Sequence, residues 1–204
     1  MNKKLVIVLV IVAAIVLIYI LNKKGYLNMF KPKRLLRYFE LSEFDSTAIP
    51  SEIGKGTYVN SKGVNKLRYS GEKNMDKDFL FMLDEARDII EKGWNTLNPS
   101  QRIVFSINSG YRTPQYNDTL DTVTNSPHTY GKAADVRWGG YNDAQKEAIL
   151  EALHDVGFRR FGIANSYVHV DNADMETGHP TPAVWTYNTQ NPIVSNIQQI
   201  AAIG

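Results

Sequence analysis

Three residues in the second half of the chain have the types and spacing to hold a hydrolytic metal. The run Ser126-Pro127-His128-Thr129-Tyr130-Gly131-Lys132-Ala133-Ala134-Asp135 sets an imidazole and a carboxylate seven positions apart across a glycine. Val168-His169-Val170-Asp171 then brings a second histidine. Two imidazoles and one carboxylate make a three-ligand zinc site whose fourth position is left to water, the arrangement that hydrolysis requires. Gly131 lets the loop turn back so that His128 and Asp135 converge, and the small Ala133 and Ala134 leave room for a coordination sphere. Alternation in the Tyr167–Asp171 stretch points His169 and Asp171 to one face, Val168 and Val170 to the other. A polar pair facing inward needs a partner, because unpaired burial is costly, and a metal supplies one. The competing account is a loop histidine beside a surface aspartate, with His169 hydrogen-bonded to Asp171 on a solvated sheet face. His154, on a predicted helix, and His179, before Pro180, are expected to be exposed and not to be ligands.

The elements that must position these residues follow from periodicity. Asp76–Trp94 has Phe79, Met82, Leu83, Ala86, Ile89 and Ile90 at helical spacing, with Asn74 or Asp76 as cap and Gly93 near the end. Asn142–Val156 repeats the pattern with Ala144, Ala148, Ile149, Ala152, Leu153 and Val156, and Gly157 stops it. Arg102–Asn108 alternates Ile103, Phe105 and Ile107 inward as a half-buried strand. Ala134–Trp138, Phe161–Ile163 and Tyr167–Val170 complete a small antiparallel sheet. The region from Gly54 to Gly71 is rich in Gly, Ser and Asn and is expected to be a loop. The stretch from Pro180 onward is expected to be loosely ordered apart from Val184-Trp185. The fold class is therefore α+β, a small antiparallel sheet carrying the metal with helices packed against it, preceded by one transmembrane helix.

That last element is the apolar run Leu5–Leu21, bracketed by Lys3-Lys4 and Lys23-Lys24. As a helix it would extend about 26 Å, near the lower limit for crossing a bilayer. It is too long for a usual signal-peptide core and lacks a small-residue cleavage site, so an uncleaved single-pass anchor in the lipid bilayer is expected. Lys31, Lys33, Arg34 and Arg37 form a basic juxtamembrane cluster suited to anionic headgroups. The excess of basic residues after the run favours a cytoplasmic domain, whereas a cell-wall enzyme requires the opposite topology. The expected organisation is an anchor over 1–24, a basic linker over 25–38, the metal domain over 39–187 and a tail over 188–204.

The chain has 204 residues, a formal charge of +2 and no cysteine. Near-neutral charge gives no field for nucleic acid, and the lack of cysteine excludes disulfides and thiolate metal sites. The domain after the anchor is long enough for a single core.

Taken together, Ser126-x-His128-x-x-Gly131-x-Ala133-x-Asp135, the upstream Ser109-Gly110-Tyr111-Arg112-Thr113-Pro114 and Val168-His169-Val170-Asp171 resemble the zinc D-alanyl-D-alanine carboxypeptidase family. That family includes phage L-alanyl-D-glutamate endolysins and shares its fold with the hedgehog signalling domain. Leu41–Asp45 is similar to the start of its carboxy-terminal peptidase branch, so the likeness runs from Phe39 to Trp185. The resemblance implies a zinc metallopeptidase, a peptidoglycan hydrolase of carboxypeptidase or endolysin type, with His128, Asp135 and His169 as metal ligands. It implies Arg112 as the group for a substrate carboxylate or oxyanion, with Tyr111 and Ser126 beside the substrate. Many relatives place an acid three residues before the last histidine as general base. Ser166 stands there in this chain, and Asp171, on the face of His169, is expected to replace it or to orient His169. The alternative is a catalytically weak zinc-fold module that binds cell-wall peptides, or a structural membrane protein of a virus particle. The expected location is a membrane, with the domain facing the cell wall, or the membrane of a lipid-containing virus particle.

Overall fold

The structure is a computed structural model, and it describes residues 36–187 apart from Lys55 and Asp121. Among the described residues seven strands lie in two sheets. Thr57–Val59 (β1) and Asn65–Leu67 (β2) form an antiparallel hairpin. Ile107–Ser109 (β3), Ala133–Arg137 (β4), Arg160–Ile163 (β5), Tyr167–Asp171 (β6) and Ala183–Thr186 (β7) form a five-stranded sheet in the order β3-β4-β6-β5-β7. Two long helices, Lys77–Lys92 (α1) and Asp143–Asp155 (α2), pack on each other and on one face of that sheet.

Both helices begin where their caps dictate. Asp76 Oδ1 accepts from Phe79 N at 2.8 Å, and Asn142 Oδ1 accepts from Gln145 N at 2.9 Å while Gln145 Oε1 accepts from Asn142 N at 3.0 Å. Such reciprocal bonds satisfy amide donors that a helix start leaves unpaired. From α1, Phe79, Leu83, Ala86 and Ile90 enter the core; from α2, Ile149, Ala152 and Leu153 do so. They meet Ala134, Val136, Val168, Val170, Phe161 and Ile163, alternate residues of β4, β6 and β5. Period two thus gives one sheet face to the core and turns the intervening residues to the other. The second face carries the site.

Some expectations are corrected. Residues 102–106 are not a strand, although Ile103 and Phe105 are buried as the alternation predicts. Ile103 N donates to Asn95 Oδ1, its carbonyl accepts from Asn95 Nδ2, and Val104 N donates to the Tyr141 hydroxyl. Side chains thus take bonds that a neighbouring strand would have made. The Gly54–Gly71 region is the β1–β2 hairpin, not a loop, its turn held by Asn60 Oδ1, which accepts from Lys62 N and Val64 N. The large sheet is mixed, because β7 runs parallel to β5. Arg37, assigned above to lipid headgroups, instead bonds Asp84 and Asp88 on α1. The anchor expected over Leu5–Leu21 and the tail over 188–204 lie outside the described residues. Among the described residues no helix is long and apolar enough to cross a membrane, so the membrane placement is withdrawn.

Candidate metal centre

One row of residues crosses all five strands of the large sheet. Ser109 is partnered with Asp135, Asp135 with His169, His169 with Gly162, and Gly162 with Trp185. All belong to the face turned away from the core. Antiparallel pairing of β4 and β6 therefore places the carboxylate and one imidazole side by side from positions 34 residues apart in sequence. His128 arrives from outside the sheet, on the helical turn Pro127–Tyr130 that Gly131 closes with φ +69°.

The three side chains converge and are buried. His169 Nδ1 lies 3.0 Å from Asp135 Oδ1, His128 Nε2 lies 3.3 Å from the same oxygen, and the two nitrogens are 3.1 Å apart. Ligand atoms about 2.0–2.1 Å from a tetrahedral zinc lie about 3.3 Å from each other, so these spacings match the edges of a zinc tetrahedron within a few tenths of an ångström.

The hydrogen bonds behind the rings decide which nitrogen is bare. His128 Nδ1 faces the Gly110 carbonyl at 2.6 Å, and a carbonyl can only accept. Nδ1 therefore carries hydrogen, and Nε2 offers its lone pair to the cluster. His169 Nε2 faces Asp171 Oδ2 at 3.1 Å, which leaves Nδ1 turned to the cluster. Two lone pairs and a carboxylate oxygen aimed at one point repel one another unless a proton or a cation lies between them. The donor set fits zinc, and the electrostatics of the metal-free cluster show the same demand. Burial lowers the pKa of His128. Burial acts likewise on His169, but hydrogen bonds to Asp135 and Asp171 outweigh it and raise that ring. Burial alone would raise Asp135, the opposite of its effect on the imidazoles, yet the charge of His128 and bonds to both imidazoles hold its carboxyl well below the usual range.

Arg112 stands on the turn after β3, its Nη2 donating to Asp135 Oδ2 at 2.9 Å and its Nε to Ser109 Oγ at 3.2 Å. The turn is held from two sides: Arg112 N donates to the His128 carbonyl, and Thr113 N to the buried Ser46 Oγ. The entry segment Leu41–Phe44 contributes too, since Tyr111 N donates to the Phe44 carbonyl. Ser126 and Arg112 line a cleft of about 1000 Å³ together with His128, Asp135 and His169. Tyr111 does not line it; its ring packs against the hydrophobic core, and its amide is tied to the Phe44 carbonyl.

Asp171 is fully buried behind His169. Its Oδ2 meets His169 Nε2, and its Oδ1 accepts from Arg160 Nε at 2.7 Å and Ala173 N at 3.0 Å. Both oxygens are engaged, on the side of the ring opposite to the cluster. Ser166 is exposed, and only its carbonyl is engaged, by Trp138 N and Gly139 N.

Residues beyond the motifs also build the cleft. Trp185 lies against the His169 ring at 5.4 Å, and Tyr167 and Tyr187 extend that aromatic wall. Gly162 makes this possible, since a Cβ there would come within 2.7 Å of Trp185 and Tyr187 atoms. Strand β7 follows a Thr- and Pro-rich stretch with little periodicity; its one signal was the pair Val184-Trp185. His179 reaches the cleft wall, where Nε2 meets the Asn125 carbonyl at 2.9 Å, and it is not among the clustered ligands.

Residues 84–171 match the family described as Peptidase M15. The match bears out the resemblance to the zinc D-alanyl-D-alanine carboxypeptidases drawn from the motifs, and it contains all three cluster residues. These are zinc-dependent metallopeptidases, and His128, Asp135 and His169 form a cluster able to hold their metal. No curated protein matches the chain.

Proposed function

We propose that this domain is a zinc-dependent peptidase that cleaves the peptide stems of bacterial peptidoglycan. The observation that carries the reading is the tautomer lock: Gly110 and Asp171 each accept a hydrogen bond from the outer nitrogen of a histidine, which keeps its hydrogen there, so that both inner nitrogens face Asp135. His128, Asp135 and His169 would hold the metal. Bound there, zinc supplies a Lewis acid for a peptide carbonyl and lowers the pKa of water toward neutrality.

The chain's own residues do the rest. Arg112 holds Asp135 in register and keeps part of its guanidinium toward the cleft, where it meets a substrate carboxylate or the oxyanion that develops on the scissile carbonyl. Asp171 is a positioning group for His169, and it is not the proton acceptor. Ser126 and the aromatic wall of Tyr167, Trp185 and Tyr187 bound the space into which the peptide enters.

A second reading is favoured by one observation. Asp135 and Asp171 are the only acids lining the cleft among the described residues, and both are committed to other partners. A zinc-fold module that binds cell-wall peptides with weak turnover would have such a cleft. Mass spectrometry of sacculi incubated with the zinc-loaded protein, beside His128→Ala and His169→Ala, tests both. Zinc-dependent release of stem fragments, lost in both variants, is expected. Zinc-dependent binding of muropeptides without any cleavage would select the second reading, and full zinc retention in both variants would overturn the metal assignment.

A further inference from the structure

Next to the row that holds the metal cluster lies a second row, Ala133, Asp171, Arg160 and Ala183, partnered across β4, β6, β5 and β7. It sets Arg160 directly beside Asp171, and both are buried. Arg160 is held on three sides. Its Nε donates to Asp171 Oδ1 at 2.7 Å, its Nη1 donates to the Pro180 carbonyl, and its guanidinium lies 5.4 Å from the centre of the Trp185 ring. Nothing in the motif run signals this residue, and two of its three partners, Pro180 and Trp185, lie beyond the segment that matches the family.

We propose that Arg160 is a positioning residue for the metal, acting through Asp171 on His169. A buried carboxylate without its cation is strongly unfavourable. Removal of Arg160 would leave Asp171 with one backbone amide and one imidazole, and the carboxylate would turn toward water in the cleft. His169 would then lose the acceptor that keeps hydrogen on Nε2, and its ring would no longer be fixed with Nδ1 toward Asp135. Groups that orient a ligand from behind typically contribute 10- to 100-fold in metal affinity. The short Nε bond along the ladder direction, the Pro180 carbonyl and the indole face together allow the guanidinium one orientation, which a flexible ammonium would not reproduce.

The inference rests on the cluster being a zinc site, and the test separates the two. Zinc affinity is measured by chelator competition on the full chain and on Arg160→Met, Arg160→Lys and Arg159→Met. The His169 tautomer is read from nitrogen-15 shifts of the metal-free proteins. Arg159 is the control, because its Nη1 donates to the carbonyls of His154 and Phe158 and not to Asp171. Arg160→Met should bind zinc about 10- to 100-fold more weakly and show mixed His169 tautomers, with Arg160→Lys between it and the parent. Arg159→Met should bind as the parent does. Parental zinc affinity and a single tautomer in Arg160→Met, or an equal loss in Arg159→Met, would overturn the proposal. Should Arg160→Met fail to fold, Arg160→Lys decides alone: weaker binding upholds the proposal and parental binding overturns it. If the parent itself binds no zinc, the metal assignment fails first.

Discussion

Gly131→Ala and Gly63→Ala form a matched pair that isolates how the His128 turn is built. Both glycines adopt left-handed backbone, φ +69° and +75°, so alanine at either costs about 1 kcal/mol in local strain. Their surroundings differ. A Cβ at Gly63 meets nothing within 4 Å, whereas one at Gly131 would lie 1.9 Å from the Asn74 carbonyl oxygen and 2.8 Å from Met75 Cα. Relief requires the backbones to separate by about 1 Å, and that movement breaks the 3.0 Å bond from Asp76 N to the Gly131 carbonyl. Asp76 is also the cap of α1, so the loss includes a hydrogen bond of about 1 kcal/mol and part of a cap of similar size. Gly131→Ala should therefore destabilise by about 3 kcal/mol, against about 1 kcal/mol for Gly63→Ala. For a domain of this size the falls in melting temperature are about 10 °C and about 3 °C. Because Gly131 N donates to the His128 carbonyl, the displacement passes to the ligand, and zinc affinity should fall on the order of tenfold in Gly131→Ala only. Thermal unfolding of the metal-free proteins and chelator titration measure the two effects. Equal melting shifts in both variants, or unchanged zinc affinity in Gly131→Ala, would refute the account of the turn.

Two further outcomes follow from the electrostatics and from Ser166. Zinc requires a bare His169 Nδ1, and that ring holds its proton to a higher pH than an ordinary histidine of pKa 6.5, so zinc affinity should fall about tenfold per unit once pH drops below that raised value. Asp135 and Asp171 both titrate below 3.8 in the folded state, so their stabilisation is present above that value and is lost as pH falls through their lower folded values; the metal-free domain should acid-unfold below about pH 4, as followed by circular dichroism. Ser166→Ala should leave stability within about 0.5 kcal/mol and turnover unchanged, because the side chain is exposed and only its carbonyl is used. Ser166→Glu should raise turnover in a muropeptide-release assay if a missing acid limits the rate; abolished activity in Ser166→Ala would reverse the assignment.

The parts of the fold legible in the sequence were those whose signals are local. The predicted helices Asp76–Trp94 and Asn142–Val156 correspond to Lys77–Lys92 and Asp143–Asp155, since apolar spacing and caps act within a few turns. Alternation likewise separated Val168 and Val170 from His169 and Asp171, and the structure shows that the valine face is the one turned to the core. What the sequence left hidden depends on partners distant along the chain. Asn95 and Tyr141 satisfy the backbone of residues 103–104 and remove it from the sheet. Strand β7 exists because Gly162, on another strand, leaves space for Trp185. The cluster was legible because its residue types are rare together. The direction of Asp171 was not, because Arg160 and the amide of Ala173 decide which way it faces.

The parallel pairing of β7 with β5 sets the smallest piece of this chain that can be handled in isolation. A fragment cut soon after Asp171 would hold the whole family-matched stretch and all three clustered residues. Its β5 would then be an edge strand, with a row of unpaired backbone groups and, at Gly162, no side chain to shield them. Such edges recruit other chains. Aggregation, more than lost chemistry, would be the first symptom of that truncation, and expression boundaries drawn from the motif alone would produce it.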